Sequence, residues 1–174
     1  MQQLISSAIN GDKYAFAELI RSHTQFMTKI AYTILKSEDD VADAIGETVL
    51  VVFQKLSTLK NPGNFRSWLA KILVNRCKDL LRQKKHYILT DELPEPAKMQ
   101  SEYSLVEWYE TLKCLDEKYR LVVLLYYMED FSTKEIATAL KLPEATVRTR
   151  LRRARILLGD SIQPANPESP VNII

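Results

Sequence analysis

The feature that most constrains this chain is a short run near its C-terminal end. Ser132-Thr133-Lys134-Glu135 has the S-x-x-E form of a capping box, in which a hydroxyl and a carboxylate satisfy free backbone N–H groups and start a helix. The helix it opens carries Ile136, Ala137 and Leu140 on one side. Lys141-Leu142 makes a brief turn, and Pro143 suits a helix start, where its missing N–H is not needed. From Pro143 to about Leu158, the residues Val147, Leu151, Ala154 and Leu158 recur at helical spacing and form a stripe to be buried. Two helices around so short a turn read as a helix-turn-helix.

The second of these helices bears Arg148, Arg150, Arg152, Arg153 and Arg155, with Thr146 and Thr149 near its start. Guanidinium forks suit phosphates and guanine edges, and the N-terminal residues of a recognition helix meet base edges. Glu144, Ala145, Arg148 and Thr149 are therefore the candidates for base reading, with Thr146 beside them. Arg152, Arg153 and Arg155 are candidates mainly for phosphates.

The rest of the chain is helical in pattern as well. Only 4 glycines among 174 residues and no alternating strand-like runs favour an all-α fold. Helices are expected near 2–11 and 12–36. Another runs from an N-cap at Ser37 to about Leu56. On that third helix Asp40, Asp43 and Glu47 stand at i, i+3 and i+7, so three carboxylates share a face, while Val41, Ile45, Val49, Val52 and Phe53 supply the apolar side. A turn, Lys60-Asn61-Pro62-Gly63-Asn64, then opens a long helix from Phe65 to about Lys85. Phe65, Leu69, Ile72, Leu73 and Leu80 can face a core; Arg66, Lys71 and Arg76 are among the cations spread over its remaining surface, with Trp68 near the start. A basic helix with an aromatic beside a loop can hold single-stranded DNA, bases stacking on rings while cations follow the phosphates. Pattern alone leaves Trp68 open between that role and the core.

Net charge is only +2, but it is segregated: residues 1–86 carry 13 Lys/Arg against 8 Asp/Glu, and residues 143–160 carry 5 against 2. Two basic segments separated by acidic stretches suggest two contacts with a polyanion. Residues 87–103 include Pro94 and Pro96 among acidic and polar residues, which breaks helices and suits a flexible linker. The expected organisation is a helical domain over 1–86, a linker over 87–103, a helix-turn-helix domain over 104–160, and a disordered tail over 161–174 with three prolines. Cys77 and Cys114 fall among apolar positions and read as buried thiols; with His23 and His86 they make no zinc site, and no cofactor is expected. No signal peptide or membrane-length apolar run is present, so a cytoplasmic protein is expected.

At this point the residues resemble the extracytoplasmic-function branch of the bacterial sigma-70 family, over about residues 10–160. Leu115-Asp116-Glu117-Lys118-Tyr119-Arg120 through Ile136-Ala137 is similar to the family's region 4, and Leu142-Pro143-Glu144 through Arg155 to its recognition helix. Asp40-Val41-Ala42-Asp43-Ala44-Ile45-Gly46-Glu47-Thr48 resembles the acidic region 2.2 helix, and Phe65-Arg66-Ser67-Trp68-Leu69 through Arg82 resembles region 2.3 and its continuation. The resemblance implies a transcription initiation factor, not an enzyme. Asp40, Asp43 and Glu47 would dock on the clamp helices of the polymerase β′ subunit. The 60–64 loop and the basic helix, with Asn61, Asn64, Arg66, Trp68, Lys71 and Arg76, would take the melted minus-ten element, and the arginine helix would read the minus-thirty-five element. The partners it implies are core RNA polymerase (β′ clamp helices and β flap), promoter DNA and an anti-sigma factor. Two departures bear on geometry: Gly46 replaces the usual glutamine, and Lys141 stands where the turn usually has glycine, so a residue with a side chain must adopt a left-handed conformation there.

Two other readings compete. A one-component helix-turn-helix regulator would explain the second segment but not the carboxylate face or the basic helix after the Asn-rich loop. A nuclease with Asp40, Asp43 and Glu47 as metal ligands lacks a convergent His or further acid, and no phosphate loop or nucleophile–base pair is present.

Overall fold

The computed structural model describes residues 1–87, 112 and 114–159. Seven α-helices occur among them: α1 (Gln2–Ile9), α2 (Lys13–Ile34), α3 (Glu38–Lys55), α4 (Phe65–Tyr87), α5 (Glu117–Val123), α6 (Thr133–Leu140) and α7 (Glu144–Leu158). No strand is found among the described residues. The expected linker, beyond Tyr87, and the expected tail at 161–174 lie outside them.

Local chemistry starts and stops these helices where the pattern implies. Gly11, at φ +93°, turns the chain out of α1, and the Asp12 carboxylate caps α2 by accepting from the N–H groups of Tyr14 (2.9 Å) and Ala15 (3.1 Å). Ser37 holds the N-cap position of α3 without a side-chain hydrogen bond; Glu38, Asp39 and Asp40 in the first turn suit the helix dipole there instead. The Asn61 side chain accepts from Gly63 N–H at 2.9 Å, folding residues Pro62–Asn64 into a single 3₁₀ turn that launches α4.

Helix α4 organises the first domain. Phe65, Leu69, Ala70, Leu73, Val74 and Cys77 are all buried along it, a band too wide for one neighbour. It has three: α2 and α3 pack on it, and α6 of the second domain covers another flank. Each fully buried leucine of that band contributes about 2 kcal/mol of apolar burial.

In the second domain, α5 runs on into a π-helical turn, Leu124–Met128, and Asp130 then takes a left-handed conformation at φ +54°. The capping box forms as expected, with Ser132 and Glu135 satisfying each other's backbone N–H groups. Lys141 adopts φ +54°, ψ +48°, the left-handed cap that the missing glycine demanded. Pro143 is extended and precedes α7 rather than beginning it. Val147, Leu151 and Ala154 are buried.

Two sequence expectations fail. Cys114 is exposed, because Leu112 and Leu115, three residues apart around a turn, take the inward positions. Phe53 is also exposed, at 59 %: Val41 and Val52 occupy the inner side of α3, and the Phe53 ring meets Phe16 edge-on at 5.2 Å. Buried residues of both domains, from Leu19 and Phe65 to Leu125, Ile136 and Leu151, join into one continuous apolar core.

Candidate nucleic-acid and polymerase interfaces

Helix α7 presents three of its five arginines outward, while Arg150 and Arg155 are half-buried and the Arg155 Nε is enclosed. Arg148, Thr149, Arg152 and Arg153 are exposed, and the buried Val147, Leu151 and Ala154 hold the opposite side of the helix. Glu144 is less free than its position suggests. Its Oε1 accepts from Thr133 Oγ1 at 2.6 Å and from Arg148 at 2.8 Å, and these bonds, Thr133 first, hold its carboxyl below the usual range. The same contacts fix α7 to the start of α6 and orient Arg148. Beside this face a cleft of about 370 Å³ opens between α5 and α7, lined by Lys118, Tyr119, Ala145, Thr146, Thr149, Arg150 and Arg153. The Tyr119 hydroxyl is hydrogen-bonded to Arg153, which favours the phenolate. Lys118 and Tyr119 were not nominated by the sequence, since nothing local in α5 marks them as neighbours of α7.

The loop and α4 separate the six residues nominated there. Asn64, Trp68 and Lys71, at i, i+4 and i+7, share one side. The Trp68 ring is half-buried on Phe65 (centroids 6.2 Å apart), so it has both a core side and a free one. Asn61 spends its side-chain oxygen on the turn. Arg76 turns towards Glu47 of α3 at 3.9 Å. Arg66 points away from Trp68 altogether: its guanidinium binds Glu129 of the second domain at 2.6 Å and lies 5.0 Å over the Phe26 ring.

On α3 the three carboxylates are not equivalent. Asp40 is 13 % exposed at its side chain and held by Lys84 at 2.6 Å, which ties α3 to the far end of α4. Asp43 and Glu47 face out, with Gly46 between them, and the exposed Leu50 (63 %) and Phe53 continue the same stripe. Phe53 was hidden from pattern reading because hydrophobic periodicity assigns such residues inward; Leu50 shares the face of Asp43 and Glu47 by spacing but was not singled out. Among the described residues no cluster of three or more His, Cys, Asp or Glu could hold a metal ion, and no helix is long and apolar enough to cross a membrane.

A helix-turn-helix with an open arginine face, joined to an acidic and a basic helix on a separate domain, defines a DNA-binding protein with at least one further macromolecular surface. The sequence profiles "Sigma-70 region 2" and "Sigma-70, region 4" match residues 19–87 and 105–158. RNA polymerase sigma factor SigV of Bacillus subtilis is 33 % identical over 80 % of this chain and 86 % of its own length. The ECF RNA polymerase sigma factor SigM of Mycobacterium tuberculosis is 28 % identical over 90 % of this chain and 82 % of its own. Among solved structures, CnrH in complex with the cytosolic domain of CnrY superposes with a TM-score of 0.66 at 28 % identity, covering 90 % of this chain and 93 % of that one. The chain belongs to the sigma-70 family of RNA polymerase sigma factors, in its extracytoplasmic-function branch, and acts in transcription initiation.

Proposed function

We propose that the two domains divide promoter recognition between them, with three surfaces in named roles. The observation that carries this division is the open arginine face of α7, held in register by the Thr133–Glu144–Arg148 bonds. Arg148 and Thr149 read base edges of the minus-thirty-five element in the major groove, with Glu144, Ala145 and Thr146 around them. Arg152, Arg153 and Arg155 hold phosphates, joined by Lys118 and Arg150 across the cleft. Asn64, Trp68 and Lys71 line the side of α4 that receives unpaired bases of the minus-ten element, and Arg76 serves the adjoining backbone, while Arg66, on the far side of the helix, is left to the second domain. Asn61 shapes the loop. A base that leaves the duplex loses stacking worth a few kcal/mol, which stacking on Trp68 offsets.

Asp43 and Glu47, with Asp40 behind them, dock on the clamp helices of the polymerase β′ subunit, and the second domain meets the β flap. The factor has no chemistry of its own and works in the cytoplasm as a regulatory subunit. CnrH is seen with CnrY, and by that likeness an anti-sigma factor holds this chain in reserve. Mixing the purified protein with core polymerase tests the reading. A stoichiometric complex that starts transcripts at discrete sites on genomic fragments is expected; tight duplex binding by the protein alone, with no complex, would overturn it.

A further inference from the structure

Glu144 and Arg148 stand one turn apart at the start of α7, the spacing of an ordinary surface ion pair, which is weak and mobile. This pair differs because a third group holds it from another helix. Glu144 Oε1 accepts from Arg148 Nη2 at 2.8 Å and Nε at 3.3 Å, and also from the Thr133 hydroxyl of α6 at 2.6 Å. Thr133 is the first residue of α6, beside the capping box that fixes the start of that helix. The carboxylate is therefore anchored to a backbone that α7 does not carry. Its side chain is 39 % exposed against 69 % for Arg148, so the anchor sits behind and the guanidinium reaches out.

Which edge of the guanidinium is used decides what is left over. The side edge, Nε and one Nη2 hydrogen, points at Glu144. The end edge, Nη1 and the second Nη2 hydrogen, meets no acceptor among the described residues. Two such parallel N–H groups match the O6 and N7 acceptors of guanine in the major groove. A base edge is met only in its own plane, so a fork already held in one plane and one rotamer loses less freedom on binding. A phosphate accepts from many directions and gains little from such a hold. Arg152 and Arg153 are exposed and meet no carboxylate among the described residues, which is what phosphate contacts need.

We infer that Glu144 is a positioning residue, not a base reader, and that with Thr133 it presents the end edge of Arg148 to a guanine of the minus-thirty-five element. This rests on the minus-thirty-five reading above and names the base that α7 selects. Glu144 acts in two ways. It fixes the plane of the fork, and its charge offsets that of Arg148 at long range, so the pair adds little to the sequence-independent pull on phosphates. The pair thus favours the few duplexes that offer a guanine there over the many that do not. Removing the carboxylate should have opposite effects on the two kinds of binding: weaker selectivity and tighter general binding. A carboxylate that only stabilised the fold would weaken both alike. One that itself read a cytosine amino group would lose selectivity at its own base pair.

The full chain assembled with core polymerase, offered duplex promoters randomised across the minus-thirty-five element, tests this by sequencing the duplexes retained. Wild type is expected to retain guanine at one position. Arg148→Ala and Arg148→Lys should both lose that preference, since lysine keeps the charge but not the fork. Glu144→Ala should weaken the same preference about tenfold, while binding duplex without the element more tightly and steepening the salt slope by about one. Thr133→Val should act in the same direction more weakly, and Thr133→Ser, which keeps the hydroxyl, should behave as wild type. Unchanged helicity by circular dichroism separates loss of fit from loss of fold. A guanine preference indifferent to Arg148 would overturn the assignment. So would a Glu144→Ala variant that loses selectivity at a different base pair, or that weakens general binding along with selectivity. In each of those cases the minus-thirty-five reading still stands. A wild-type complex that selects no element there at all takes that reading down, and this inference with it.

Discussion

Helices α4 and α7 look alike in sequence, each long, basic and amphipathic, yet the fold treats them differently. On α4, Arg66, Arg76 and Lys84 all meet carboxylates that this chain supplies: Glu129, Glu47 and Asp40. On α7, only Arg148 is ion-paired among the described residues, to Glu144 one turn away on the same helix. Arg148, Arg152 and Arg153 of α7 are thus left exposed, while the cations of α4 are partly spent on holding α3 and the second domain in place. A count of positive residues does not measure a nucleic-acid surface. What decides it is whether the chain's own acids reach those cations first.

The largest effect that would break this contrast lies at Lys29. Lys29→Met leaves one oxygen of the buried Glu129 unanswered, so the docked form should lose about 3 kcal/mol. Amide hydrogen exchange in α6 should then quicken by roughly a hundredfold. Adding Glu129→Leu should return part of the protection, since no buried carboxylate is then left half-answered and the half-exposed Arg66 can turn to water. Exchange that stays fast in the double variant would show that the carboxylate does not control the contact.

On α7, Arg148→Ala should cost about 1–3 kcal/mol at a single base pair of the minus-thirty-five element, as read by competition among duplex variants. Arg153→Ala should weaken all sequences alike and lower the salt slope of binding by about one. Exchange of those two behaviours would reverse the assignment of bases and phosphates.

Within the acidic face the contrast is smaller. Asp40→Asn should lower unfolding stability by about 1 kcal/mol through its loss of Lys84, yet change polymerase affinity little. Asp43→Lys should leave stability within about 0.5 kcal/mol and weaken the polymerase complex clearly. Equal effects of both on stability would contradict the division between a tie and a docking group.

The smallest effect concerns acidity. His23 is buried against Phe65 and Phe26. Burial, then the nearby Arg66 charge, holds its imidazole below the ordinary 6.5, against the opposing Leu19 carbonyl and Glu129. The unfolded chain takes up a proton as pH falls through about 6.5, while the folded chain does so only lower. Stability should therefore be level above that pH and decline below it, and His23→Gln should flatten the decline in urea titrations at pH 7 and 5.5.

What could be read from the sequence was local. The capping box at Ser132–Glu135, the stripe Val147–Leu151–Ala154, the left-handed Lys141 and the turn at Asn61–Asn64 are each specified within a few residues, and the fold contains all of them. What escaped was set by contacts far apart in the chain. Glu129 has partners 100 and 63 residues away, and Asp40 is turned inward by Lys84, 44 residues on. No spacing rule reaches so far. Phe53 escaped for the opposite reason: helical periodicity counts an apolar residue as inward, and an exposed apolar stripe breaks that rule.

Energy transfer between the two domains reads their packing directly. Dyes attached through Ser7→Cys and Ile156→Cys, both exposed positions, in a Cys114→Ser background leave Cys77 unlabelled, because burial pushes its thiol up to about 12. High transfer is expected in the free chain, with a large drop once core polymerase and promoter are bound. Low transfer in the free chain, or the same transfer in both states, would contradict it.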